Sequence, residues 1–155
     1  MPVIVSNIVE VCVFRFAFDT PEYLLLRRSK DQSVYPDTWQ CISGKIREGE
    51  RAAEAALREF SEECGLVAER LWVVPHCSTF FDARRDEMNL CPMFAIQVMP
   101  QNDPLLSPEH SSFAWLRYEK ALERLVWPGQ SDGLRIVQEY LLGEKSAAQL
   151  ARLPL

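Results

Sequence analysis

The chain has 155 residues, 48% of them hydrophobic and 25% charged, a length and balance that suit one globular domain with its own core. Its formal net charge of -5 speaks against tight binding of nucleic-acid polymers, whose affinity comes largely from Lys and Arg neutralising phosphates. A small phosphorylated ligand stays open, provided divalent cations bring the positive charge. No run approaches the roughly 18 apolar residues of a membrane span, and Met1 to Phe18 lacks the basic start and small-residue cleavage site of a secretory signal. The five cysteines, Cys12, Cys41, Cys64, Cys77 and Cys91, include no CxxC pair, so neither a disulfide framework nor a zinc site is suggested. The expectation is a single domain over residues 1–155, in the cytoplasm, with reduced and mostly buried thiols.

Taken in chain order, Val3 to Phe18 is rich in β-branched and aromatic residues and reads as a strand. Asp19-Thr20-Pro21 makes a turn into a second strand at Tyr23 to Leu26. Ser29 to Thr38 is polar and reads as a loop, and Trp39 to Ser43 as a short strand. Arg51 to Cys64, full of Ala, Glu, Leu and Arg, is the clearest helix, with Gly65 as its stop. Two strands follow at Leu71 to Phe81 and Cys91 to Met99, joined by a charged loop from Asp82 to Asn89. Pro100 to Pro108 is a further loop, then a strand at Phe113 to Leu116 and a short helix at Tyr118 to Leu125. A final amphipathic helix, capped by Ser131, ends near Gly143. No repeat, low-complexity tract or linker interrupts this order, and the sum is one α+β domain with a mixed sheet.

The helix carries the chemistry. At about 100° per residue, Glu62 and Glu63 fall within roughly 60° on either side of Glu59. Ala53, Ala56, Leu57, Phe60 and Cys64 occupy the neighbouring arc, so the helix anchors by one face and offers three carboxylates on the next. That offer is unfavourable locally: like charges at these spacings repel, and the helix dipole opposes anions in the last turns by about 0.3–1 kcal/mol each. A hard divalent cation reverses both terms. An acidic solvated face is the plain alternative.

The full pattern decides between them. Gly44, then Glu50, Arg58-Glu59, Glu62-Glu63 and Gly65-Leu66 follow the spacing G-x5-E-x7-R-E-(apolar)-x-E-E-x-G-(apolar). This resembles the Nudix box of the Nudix hydrolase family at every specified position. A chance match is on the order of one in a billion per starting position from average residue usage. The resemblance implies an α/β/α sandwich around a mixed sheet and Mg²⁺- or Mn²⁺-dependent hydrolysis of a pyrophosphate bond. By position it makes Glu59, Glu62 and Glu63 the metal-binding carboxylates and gives Glu50 the task of holding Arg58. It places Gly44 at the tight turn before the helix. Ser43 stands where many members have a glycine whose carbonyl ligates a metal, so its backbone oxygen is the corresponding candidate.

Outside the box, Arg28 at the end of the second strand matches a position where members often contact phosphate. Lys45 is a second candidate, as a point charge. Glu109 and His110 begin a segment that resembles the E-H-x-x-x-x-W-L run of many Nudix enzymes. In several of them a glutamate there is base or extra metal ligand, which makes Glu109 and Glu63 the two candidates for general base. His110 and His76 read as structural. Trp39, Phe80, Phe81 and Trp115 read first as core; as a stacking group for a flat heterocycle, Phe81 is the candidate. Arg84 to Glu87 reads as a solvated loop.

The run from Trp39 to Glu50 also resembles that of dihydroneopterin triphosphate pyrophosphatases that hydrolyse dATP. The expected reaction therefore gives a monophosphate and pyrophosphate from a small triphosphate metabolite. Dinucleoside polyphosphate (Ap4A-type) hydrolysis is the alternative. An ADP-ribose pyrophosphatase, a non-catalytic nucleotide-binding Nudix module and a simple metal buffer rank below it. The expected partner is the small metabolite alone, with no nucleic-acid polymer and no membrane, and the chain a monomer or homodimer.

Overall fold

Alternation along the central strands decides how the layers stack. Val9, Val11 and Val13 belong to one buried cluster and Cys12 and Phe14 to another, as side chains of a strand covered on both faces must. The computed structural model describes residues 1–143 and 148–155. Its strands are β1 (Val3–Val5), β2 (Ile8–Ala17), β3 (Thr20–Arg28), β4 (Trp39–Gln40), β5 (Ile42–Lys45), β6 (Arg70–Asp82), β7 (Glu87–Gln97), β8 (His110–Arg117) and β9 (Arg152–Leu153). Its helices are α1 (Ala52–Cys64), α2 (Tyr118–Arg124), α3 (Pro128–Ile136) with a π-helical turn at Val137–Leu141, and α4 (Ala148–Ala151).

Within those residues one mixed sheet runs β4-β3-β2-β7-β6-β9, with β5 paired to β2, β1 to β7 and β8 to β3. β2 runs parallel to β7, and their register sets Glu10 beside Met93. Helix α1 lays Ala55, Ala56, Phe60 and Cys64 on Val9, Val11, Leu24 and Leu26. Ala121 of α2, Leu134 of α3 and Val137 and Leu141 of the π turn cover Phe14, Tyr23 and Leu25 on the opposite face. This is the expected α/β/α sandwich. Burying a side chain such as Phe60 is worth about 1.5–3 kcal/mol, which outweighs the few tenths that each like-charged pair on α1 costs. No described helix is long and apolar enough to cross a membrane.

Several boundaries differ from expectation, each for a local reason. The first strand is split at Ser6-Asn7: β1 pairs with β7, and Asn7 turns its carbonyl to accept the Ile46 N–H. The strand expected at Trp39 to Ser43 is two. Cys41 gives its N–H to the Gln130 side chain, and the backbone passes there from β3 to β2. The loop expected from Asp82 to Asn89 shrinks to residues 83–86, because Asp82 accepts the Arg84 N–H and closes a tight turn. Ser131 does not cap the last helix. Pro128 occupies its first turn, and the Gln130 and Ser131 N–H groups already point back to the Trp127 carbonyl. Four cysteines are buried as expected, whereas Cys77 is exposed, and all five are free. Phe80 and Phe81 are 44% and 49% exposed, so neither is core.

Candidate active site

Helix α1 begins after Gly49, whose φ of +76° makes the turn out of β5, and ends on Gly65 in the left-handed region at φ +60°. Gly44 is therefore not the turn residue. It lies inside β5, and its role is close approach: a Cβ built there would stand 2.0 Å from Cδ of Glu59 and 2.4 Å from its Oε1. The Glu59 carboxylate is thus laid directly on the strand backbone, in the space a side chain would fill.

Arg58 organises the carboxylates. Its Nε and Nη2 donate to the two oxygens of Glu50 at 2.7 and 2.9 Å, a fork that only a guanidinium can make. Nη2 also donates to the Lys45 carbonyl at 2.8 Å, tying α1 to β5. Nη1 reaches Glu59 at 2.5 Å and Glu62 at 3.2 Å, and Arg47 reaches the other Glu62 oxygen at 3.1 Å. The Arg58 guanidinium, helped by the Arg47 N–H, holds the Glu50 carboxyl down to about 2. Glu50 restraining Arg58 is as the box resemblance implied; the Arg47–Glu62 pair was not anticipated.

Glu63 is different. It is buried, and one oxygen has no hydrogen-bond partner. Burial first, then the charges of Glu109 and Glu59, push its carboxyl up to about 9, against the pull of Arg28. A buried carboxylate among other carboxylates is short of positive charge. That shortage is the observation that makes these residues fit a divalent cation. Among the described residues no three His, Cys, Asp or Glu side chains already converge on one point, since Glu59 and Glu62 lean on arginines.

Glu109 is carried to Glu63 by the loop before β8. The Ser29 N–H donates to the Glu109 carbonyl at 2.8 Å, and the Leu105 N–H to the Cys64 carbonyl at 2.8 Å, so the loop is pinned between the end of β3 and the end of α1. Arg28 stands close enough to act on both Glu63 and His110, while its own guanidinium donates to Val34 and Gln32. Glu59, Glu62, Glu63, Glu50, Arg58, Arg28 and Glu109 are therefore brought together, with Ser43 one residue from the Gly44 cradle. Lys45 joins them by its carbonyl, its side chain being exposed. Phe81 is not gathered in: it sits at the tip of the β6–β7 hairpin, opposite Met88.

His110 was read as structural without its partners, and Gln40 and Glu10 were missed. His110 is fully buried beside Glu63, and burial, with Arg28, pushes its imidazole down to about 4. Gln40 lies 3.4 Å from it. On the other face of the sheet, Glu10 accepts hydrogen bonds from Ser78 and Gln130, and burial raises its carboxyl. A charge inside the run Ile8-Val9-Glu10-Val11-Cys12-Val13 was the available signal for the last.

A two-sided sheet carrying an arginine-forked, glutamate-bearing helix defines a hydrolase domain of Nudix type. The NUDIX domain profile matches residues 7–137, and the chain belongs to that family. Over 107 residues it is 34% identical to an octanoyltransferase of Myxococcus xanthus, covering 68% of this chain and 29% of that protein. It is 28% identical over 104 residues to the nucleoside triphosphatase NudI of Escherichia coli O81 (strain ED1a), covering 63% of this chain and 74% of the relative. It is 41% identical over 68 residues to the dihydroneopterin triphosphate diphosphatase of Escherichia coli K12, 43% of each chain. The match thus spans less than half the length of two of these relatives. A solved Ap4A hydrolase of C. elegans superposes with a TM-score of 0.72 at 24% identity, over 89% of this chain and 98% of that one, a likeness of fold.

Proposed function

We propose that the protein hydrolyses a phosphoric anhydride in a small triphosphate metabolite, dATP or dihydroneopterin triphosphate, to a monophosphate and pyrophosphate. The observation that carries this reading is the buried, cation-starved Glu63 beside Glu59 and Glu62 on one helix face. The names of the relatives, a nucleoside triphosphatase and a dihydroneopterin triphosphate diphosphatase, support the substrate class.

Glu59, Glu62 and Glu63, with the Ser43 backbone oxygen, would hold Mg²⁺ or Mn²⁺. Such an ion neutralises phosphate charge and makes water a stronger acid. The chain's own residues do the rest. Arg58, fixed by Glu50, sets the angle of the helix and keeps Glu59 against Gly44. Arg28 and Lys45 meet phosphate oxygens. Glu63 or Glu109 takes the proton of the attacking water. No covalent intermediate is required.

The test is a Mg²⁺-dependent panel with product identification, covering dATP, other nucleoside triphosphates, dihydroneopterin triphosphate, Ap4A and ADP-ribose. Monophosphate plus pyrophosphate, lost in Glu59→Gln, is the expected result. A mononucleotide plus a nucleoside triphosphate from Ap4A, in preference to any other turnover, would replace this reading with dinucleoside polyphosphate hydrolysis.

A further inference from the structure

The two buried atoms that face each other without partners are Oε2 of Glu63 and Nδ1 of His110, 4.0 Å apart. Both side chains are almost wholly enclosed, at 5% and 0% exposure. An orphaned carboxylate oxygen and an orphaned ring nitrogen each cost on the order of 1–3 kcal/mol, so the pair is not neutral padding. The opposite ring nitrogen, Nε2, lies 3.4 Å from the amide nitrogen of Gln40. An amide nitrogen has no lone pair to offer, so Gln40 donates and Nε2 accepts. The ring proton is then on Nδ1, aimed at Glu63. The reverse orientation of the amide would move the proton to Nε2 and set the Nδ1 lone pair against those of Glu63 in its ionised, metal-holding form.

Backbone placement supports the same chain of contacts. His110 opens β8 at the irregularity in the β3–β8 register, where it pairs with Arg28. Its N–H is held by Ser107, whose own N–H reaches the Glu63 carbonyl at 3.4 Å. Gln40 is fixed in β4 opposite Leu26.

We infer that His110 is a positioning residue for Glu63: its Nδ1–H orients the carboxylate for the metal, and Gln40 fixes the ring tautomer that makes this possible. The inference rests on Glu63 being a metal-holding carboxylate, and the Nδ1–H to carboxylate contact closes with a shift of about 1 Å from the present separation. It assigns a role to the histidine of the Glu109-His110 pair that touches neither metal nor substrate. Partners of this kind, one step removed from a metal, typically cost 10–100-fold in metal affinity when lost.

The experiment uses the full chain in two measurements. Mn²⁺ affinity is titrated for wild type, Glu59→Gln, His110→Ala, His110→Asn and Gln40→Glu, with thermal unfolding of each. His110→Ala and Gln40→Glu are expected to weaken Mn²⁺ roughly tenfold or more, and His110→Asn, whose amide N–H takes the place of Nδ1–H, to recover most of it. Long-range proton–nitrogen NMR in saturating Mg²⁺ reads the tautomer directly, since the chain has only two histidines, His76 and His110. The expected signature is Nδ1–H for His110, switched to Nε2–H in Gln40→Glu. A folded His110→Ala with wild-type Mn²⁺ affinity, or an Nε2–H tautomer in wild type, overturns the inference. Unchanged Mn²⁺ affinity in Glu59→Gln would instead overturn the metal-site reading on which it rests.

Discussion

Gly44→Ala isolates one geometric demand of the site. A Cβ there meets Cδ of Glu59 at 2.0 Å, where ordinary contact begins at 3.4 Å, a shortfall of about 1.4 Å. The strand is held by its pairing with β2 and the helix by Phe60 and its neighbours, so the carboxylate, the free end of a flexible side chain, is what yields. Misplacing a reacting or ligating group by about 1 Å costs on the order of 100-fold, which corresponds to about 2.7 kcal/mol of transition-state stabilisation. The expected result is a fall of about 100-fold in kcat/KM for the triphosphate substrate, with weaker Mn²⁺ binding and a melting temperature within a few degrees of wild type. A double-mutant cycle identifies the route: in a Glu59→Ala background, Gly44→Ala should add almost nothing. Activity of the single variant within threefold of wild type, or full additivity in the cycle, would refute the claim that Gly44 exists to let Glu59 lie on the strand.

Other outcomes follow from the same contacts. Arg58→Lys loses the fork to Glu50 and the reach to Glu59 and Glu62, and kcat/KM should drop about tenfold or more in steady-state assays although the charge is kept. The Glu50 carboxyl titrates near 2 in the fold against 4.5 when free, so its stabilising effect is present above about pH 4.5 and is lost as pH falls toward 2. The gap in urea midpoint between wild type and Glu50→Gln should therefore shrink between about pH 6 and pH 3. Gln130→Ala strands the Cys41 N–H and one Glu10 oxygen in the interior, costing on the order of 1–3 kcal/mol each by urea unfolding. A thiol reagent should label Cys77 alone in the native protein and all five cysteines once it is unfolded.

The reach of the sequence was set by how local each signal is. The spacing of Glu59, Glu62 and Glu63 against Ala56, Phe60 and Cys64 is a property of one helix, and it placed carboxylates and core stripe without tertiary knowledge. The Glu50–Arg58 fork was legible because the Nudix box pairs those positions. Gly44 was misread because a glycine beside a helix suggests a turn, whereas its contact with Glu59 exists only once β5 and α1 are packed. Splits at Ser6-Asn7 and Cys41 depend on partners far away in the chain, Ile46 and Gln130. His110 and Gln40 could be named but not joined, because 70 residues separate two side chains that meet across β3. Phe81 shows the converse: an aromatic in a strand is a natural stacking candidate, and only the hairpin's length leaves it at the tip.

The most direct test of the central claim is product identification from dATP and dihydroneopterin triphosphate with Mg²⁺, comparing wild type with Glu62→Gln and Glu63→Gln. The expected result is pyrophosphate and a monophosphate in equal amounts from wild type, and a loss of at least 100-fold in both variants while they remain folded. Undiminished turnover in both variants would contradict the assignment of the reaction to this face of α1.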